Sequence, residues 1–254
     1  MTQRVAERLD TPLMQQYREV KARHPESILF FRMGDFYEMF FDDAELGARV
    51  LGIALTSRGD GVPLAGVPVR AAADYLRQLV AAGHRVAICE QVEDPKLARG
   101  LVRREVVETV TPGAQLQEDW LPRGANNFLV AVNGGKEGAG GSEPIGLAAL
   151  DLSTGEFILE TIAPDQLDEA VGRLRPAEVL LPGDTGALLD GGDALRTSRE
   201  RWEFDSDLAA GDLARRFGLA TLDGLGIAPG DRPAFGAAGA LLRYVSELQP
   251  QGIP

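Results

Sequence analysis

One cysteine, Cys89, stands in 254 residues, so an internal disulfide is excluded and the composition fits a reducing compartment, with the cytoplasm as the expected location. Histidine is nearly as scarce. His24 and His84 lie far apart and, with the lone thiol, offer no metal-ligand spacing. No apolar run approaches the roughly 18 residues of a membrane span, and the opening MTQRVAERLD lacks an apolar core of signal-peptide length, so neither insertion nor export is expected. The pattern G-x-x-x-x-G-K-[ST] is missing, and the Gly-rich stretch 138–141 has neither the Lys nor a following helix signal. No nucleotide or metal cofactor is therefore expected on this chain, nor enzymatic activity. Cys89 sits in an apolar run, where a buried inert thiol is expected rather than a nucleophile.

Positive charge is also in short supply. A net charge of −12 argues against nucleic acid, since attraction to phosphate is the main sequence-independent contribution to binding it. The distribution changes that conclusion. Residues 1–115 hold 15 Lys and Arg against 16 Asp and Glu, leaving 11 against 22 for the remainder, so the acidity belongs to the second half. A near-neutral first half can still present a basic face.

What is present is an ordinary globular composition, 44% hydrophobic and 25% charged, long enough for two modest domains. Thr11-Pro12 followed by Leu13, Met14, Tyr17 and Val20 predicts a capped amphipathic helix that ends near Pro25. The runs 28–34 and 36–41 are short and aromatic-rich, which predicts two strands meeting at Gly34-Asp35. A helix is predicted over 42–51, a strand over 53–58, a turn region over 59–68, a helix over 71–82, and strands over 85–92 and 106–113. A linker follows, from about Pro112 to Asn127. Beyond it, 127–133 and 145–162 predict strands, the latter two joined by the turn Ser153-Thr154-Gly155; then come a helix over 165–174, strands over 177–182 and 202–204, and helices over 207–217 and 234–248. The fold class is α/β, with domains expected over 1–115 and 128–254 and a linker over 116–127.

The informative stretch is Met33-Gly34-Asp35-Phe36-Tyr37-Glu38-Met39-Phe40. Residues i and i+2 of a strand share a face, which sets Phe36 beside Glu38 and turns Tyr37 the other way. An aromatic ring next to a hydrogen-bonding group suits the interrogation of a base: the ring stacks or wedges, and the polar group meets the base edge. Stacking is worth about 1–3 kcal/mol and opening a base step costs a few. A mispair, already poorly stacked, tips that balance. Glu38 would act either as a carboxylate accepting a base N–H or as the neutral acid donating to a base acceptor. By itself Phe-x-Glu is weak, since composition alone gives about 0.7 such tripeptides in a chain this long, and an ordinary core Phe beside a solvated Glu explains it as well.

The segments TPLMQQY (11–17), ILFFRMGDFYEMFFDDA (28–44), LTSRG (55–59), PLAGVP (63–68), YLRQLVAAGHRVAICEQVEDP (75–95) and VTPGA (110–114) together resemble the mismatch-binding domain of the MutS family. That resemblance implies that Phe36 stacks on a mispaired base and that Glu38 hydrogen-bonds it from the minor-groove side. It sets Met33 next to the wedge and Arg58 near the DNA backbone. Lys96, Arg99, Arg103 and Arg104 form a basic cluster that suits phosphate contact and equally suits a solvated face.

Residues 128–250 are similar to the family's connector domain, which implies a ribonuclease H-like fold. A metal-dependent nuclease using Asp151, Glu156 and Asp205 is the rival reading, against which 151–156 reads as a hairpin turn with solvated acids and the family's connector is not a nuclease. A third reading makes the acidic second domain a protein-docking module without DNA contact. The resemblance implies mismatched duplex DNA and a MutL-type protein as partners. It also implies that lever, clamp and ATPase regions, with their ATP and Mg²⁺, lie beyond Pro254, so that the chain is a monomer, binds DNA weakly and would dimerise through those regions alone.

Overall fold

The computed structural model describes residues 11–58, 61–94, 100–115, 120, 126–134, 143–183, 192–220, 222 and 229–252. It divides into two units, one running to Thr111 and including the chain from Leu248 onward, the other Pro112–Glu247. Both are mixed α/β units, as expected.

In the first unit, α1 (Pro12–Arg23) starts where predicted: Thr11 accepts a hydrogen bond from the Met14 amide, and Pro12 occupies the first turn, where its missing N–H costs nothing. The strands are β1 (Ser27–Met33), β2 (Phe36–Phe40), β3 (Thr56–Arg58), β4 (Val62–Pro68), β5 (Arg85–Gln91) and β6 (Arg104–Val110), in the order β3-β4-β2-β1-β5-β6. The β1–β5 pair is parallel and the others antiparallel. One face of this sheet buries Leu29, Phe31, Phe40, Val62, Ala87 and Cys89 against Met14, Tyr17 and Val20 of α1. Helix α2 (Phe41–Leu51) lies against β2, where the bare Cα of Gly47 makes room for Met39. Helix α3 (Ala72–Ala81) closes at Ala82-Gly83, with Gly83 at φ +86°.

Asp43 of α2 ties these layers together. Its buried carboxylate accepts from Tyr17 Oη at 3.1 Å, Lys21 Nζ at 2.8 Å and the Leu29 amide at 3.0 Å. A buried charge satisfied on three sides is tolerated; one left alone would cost several kcal/mol.

The segment 59–68 departs from its predicted turn. Val62–Pro68 is strand β4, lying between β2 and the short edge strand β3. Pro63 and Pro68 argue against a strand in sequence terms, yet both are accommodated: Pro63 faces Ser57 of the three-residue edge strand, and Pro68 is the last residue of β4.

In the second unit, β7 (Phe128–Asn133), β8 (Ile145–Asp151) and β9 (Glu156–Ile162) form an antiparallel meander, extended by parallel β10 (Glu178–Pro182) and β11 (Leu195–Arg199) in the order β11-β10-β7-β8-β9. This mixed sheet agrees with the ribonuclease H-like expectation. Leu167, Ala170 and Leu174 of α4 (Leu167–Leu174) pack on Val130, Val132, Leu147 and Ala149. Helix α5 (Ser206–Arg216) is capped by Asp205, whose carboxylate accepts from the amides of Asp207 and Leu208. Helix α6 (Arg232–Leu248) comes so close to β8 that a Cβ on Gly146 would overlap the backbone of Pro233.

Two expectations need correction here. Residues 201–204 form a 3₁₀ turn, not a strand, held by the Glu200 amide donating to Glu203 and by Arg199 on the same carboxylate. The run WEF is too short to pair, and Trp202 is exposed. Strand β11, by contrast, has no apolar alternation to announce it. The expected linker from Pro112 begins as packed chain: Pro112, Gly113 and Ala114 are buried, and the Gly113 amide donates to Glu178 at 3.3 Å. Most of 116–127 lies outside the described residues.

Candidate nucleic-acid interface

Strand β2 is buried except at its exposed first residue and at half-buried Glu38. Phe36 is 47% exposed, whereas Tyr37 is 7% and Met39 and Phe40 are fully buried. A two-residue loop creates this edge. Gly34 takes φ +58° at the first loop position, which a hairpin of type II′ requires and a side chain resists, and Met33 then pairs with Phe36.

The rear of the hairpin is locked. Tyr37 stacks on Phe30 with ring centroids 5.6 Å apart, and its hydroxyl donates to Glu90. Burial, followed by that carboxylate, pushes the Tyr37 hydroxyl up to about 12, so it remains a donor at any physiological pH. Arg32 donates from Nη1 to Glu90 at 3.2 Å and from Nε to the Gly34 carbonyl at 2.6 Å, and its guanidinium lies 5.6 Å from the Tyr37 ring. The loop is thus clamped by a cation, a carboxylate and a phenol from three strands.

The front face follows from the register, because directly opposed residues of an antiparallel pair share a face. Met33, Phe36 and Pro68 make one row; Phe31, Glu38 and Gly66 make the next; Phe40 and Leu64 belong to a third. Tyr17 of α1 packs edge-on against Phe31 and Phe40, with centroids 5.4 and 5.0 Å away. Helix α1 therefore covers the inner part of this face, and Phe36 with half-buried Glu38 occupies the outer part.

Beneath them sits Arg104. The basic cluster offered it either to phosphate or to a solvated face, and it takes neither position in the fold: the residue is 6% exposed, with Nε donating to the Arg32 carbonyl at 2.7 Å and Nη1 to the Val102 carbonyl at 2.7 Å and Gln16 at 3.1 Å. Its guanidinium lies 5.1 Å from the Phe31 ring, and Nη2 is 3.7 Å from Met33 Sδ. Sequence cannot distinguish this arginine from its neighbour, since strand alternation turns Arg104 inward and leaves Arg103 outside. Burial lowers the Arg104 pKa from its ordinary value, and the negative charge of Glu38 acts in the opposite direction. Glu38 and Arg104 are electrostatic neighbours on this face.

Of the other candidates, Met33 is half-buried at the tip beside Phe36. Arg103 is exposed, with its amide donating to Glu93 and its side chain 3.6 Å from Glu105. The backbone of Arg58 pairs with Val62; its side chain, together with Lys96 and Arg99, lies outside the described residues. Cys89 is fully buried, and burial pushes its thiol up to about 12.

The rival carboxylates are each engaged in hydrogen bonds, Asp151 and Asp205 to backbone amides and Glu156 to a side-chain amide. Asp151 accepts from the Asn127 amide and from the amide and hydroxyl of Ser153. Burial works against its charge, but those hydrogen bonds outweigh it and hold the carboxyl below its ordinary value. Glu156 accepts from Asn126, and Asp205 caps α5. Among the described residues no group of three or more His, Cys, Asp or Glu is placed to hold a metal ion. None of their helices is long and apolar enough to cross a membrane.

A family model described as MutS domain I matches residues 11–119, and one described as MutS domain II matches 127–254. The chain is 43% identical over 251 residues to the DNA mismatch repair protein MutS of Rhodopseudomonas palustris (strain HaA2), covering 94% of this chain and 27% of that protein. It is 44% identical over 256 residues to the protein of the same name from Desulfatibacillum aliphaticivorans, covering 96% and 28%. The corresponding figures for Solibacter usitatus (strain Ellin6076) are 44% over 247 residues, 94% and 28%. The chain thus spans little more than a quarter of the length of these relatives.

Proposed function

The chain belongs to the MutS family, and from that membership we propose that its first unit senses mispaired or unpaired bases in duplex DNA. Phe36 stacks on or wedges beside the mispaired base, and Glu38, on the same face, hydrogen-bonds the base edge. The observation that carries this is the exposure of the Phe36 ring at the tip of a hairpin whose rear is locked by Tyr37, Arg32 and Glu90. Exposure alone does not set Phe36 apart, since Trp202 and Phe217 are more exposed; its distinction is a rigid mount at a hairpin tip with Glu38 on the same face. Met33 adjoins the wedge, and Arg103 with Arg58, Lys96 and Arg99 is the source of cations for the phosphates.

The test compares Phe36→Ala and Glu38→Ala with the parent chain on a G·T duplex and its homoduplex at one fixed low salt concentration. Stacking of about 1–3 kcal/mol converts to a loss of roughly 5- to 150-fold in affinity for the mismatch, with the homoduplex affected less. Unchanged discrimination by Phe36→Ala removes the wedge.

The second unit is proposed to relay that state and dock other proteins, a MutL-type protein among them. Its acidity supports this, since 11 Lys and Arg against 22 Asp and Glu beyond residue 115 leave its average surface repelled by DNA. In this reading the chain is a cytoplasmic monomeric binding element and not an enzyme, ATP and Mg²⁺ being handled by parts of the family's proteins outside these two domains.

A further inference from the structure

Gly66 occupies an interior position of β4, directly opposite Glu38 and one row from Phe36. Glycine is a poor strand residue, weakening the strand by entropy and by offering nothing to pack, so its presence in a strand interior needs a cause. Backbone conformation is not the cause, because Gly66 is absent from the positive-φ glycines. Nor is crowding. A Cβ built on Gly66 would meet the Tyr37 carbonyl at 3.6 Å and Glu38 Cγ and Phe36 Cδ1 at 3.8 Å each, ordinary contact distances with no overlap. Gly47, Gly113 and Gly146 each have an atom within 2.6 Å of the same built position, so their lack of a side chain is explained by packing.

What the missing side chain does leave is space between the two groups proposed to read the base. The built Cβ stands equally far from the Phe36 ring and the Glu38 side chain, so a flat group that touches both from the β4 side lies over the bare Cα of Gly66. We propose that Gly66 is a specificity-determining residue of this site: its lack of a side chain is the clearance that admits the edge of a mispaired base between Phe36 and Glu38. The inference rests on the reading of those two residues as the base-contacting pair. It adds to that reading a residue that makes its contribution through absence, and at which an added Cβ meets its neighbours at ordinary contact distance.

The experiment is a graded series, Gly66→Ala, Gly66→Val and Gly66→Leu, in the full chain, with Phe36→Ala in parallel. Affinity for a G·T duplex and for its homoduplex is measured at fixed low salt, and thermal unfolding is followed on each variant. Unfolding midpoints are expected to hold or rise, most for Val, which a strand favours over Gly. Preference for the mismatch is expected to fall with side-chain size, by about tenfold for Ala, the equivalent of one lost contact of 1.4 kcal/mol, and wholly for Leu. Should Gly66→Leu keep the parent's preference while Phe36→Ala loses it, the clearance idea is overturned and the wedge stands. Should the parent show no preference, or Phe36→Ala retain it, the underlying reading fails and takes the role of Gly66 with it. A lowered midpoint for Gly66→Ala also overturns the proposal, since it would mean that the fold itself needs that space.

Discussion

Replacing Arg104 with Met tests how far burial redirects a basic residue from DNA binding to structure. Methionine keeps most of the stem volume and removes the charge, leaving the carbonyls of Arg32 and Val102 and the Gln16 amide oxygen without their donor. A buried acceptor left unsatisfied costs about 1–3 kcal/mol, so three of them cost at least about 3 kcal/mol together. At about 4 °C per kcal/mol for a domain near 100 residues, the first unit should melt more than about 10 °C earlier. The neighbouring Arg103→Met supplies the contrast: its side chain is 66% exposed and faces a half-exposed Glu105, a pairing worth under about 0.5 kcal/mol. Far-UV circular dichroism reports both units, whereas both tryptophans, Trp120 and Trp202, lie in the second, so indole fluorescence serves as an internal control that should not move. Equal stability of the two variants, or a loss of DNA affinity in Arg104→Met with an unshifted midpoint, would refute the reasoning and return Arg104 to the phosphate contacts.

Cys89, with its thiol raised to about 12, should resist iodoacetamide at pH 8 until denaturant opens the first unit; a native rate within about tenfold of free cysteine contradicts its burial. The folded-state pKa of Asp151 lies below its unfolded value, so its contribution to stability is complete above about pH 4 and is lost as pH falls through the folded value. Asp151→Asn should therefore lower the stability of the second unit at pH 7 and flatten its acid limb, read by tryptophan fluorescence; parallel acid limbs for parent and variant would dispose of this.

Much of this was legible in the residues. The i, i+2 rule set Phe36 and Glu38 on one face and Tyr37 on the other, and the structure has Tyr37 buried on Phe30 and Phe36 exposed. Thr11-Pro12 marked a helix start, and Gly34-Asp35 a hairpin. The failures have a common origin, since each depends on what lies across the chain. The prolines of β4 hid a strand whose neighbours tolerate them, and with it went Gly66, a residue visible in PLAGVP but without meaning until the register set it opposite Glu38. Arg103 and Arg104 are the same residue type in adjacent positions, and only pairing with β5 decides which points inward. Strand β11, short and polar, forms because β10 offers it a parallel edge.

The clamp behind the hairpin has a mechanical consequence. When two bodies press together, the softer one yields, and a phenylalanine mounted on Tyr37, Glu90 and Arg32 has little room to recoil. On the proposed role of Phe36, strain at the contact would be absorbed by the duplex, and the ring would register how readily a base step gives way, with little regard to which bases compose it. A probe of that kind would respond to chemically unlike defects through the one property they share.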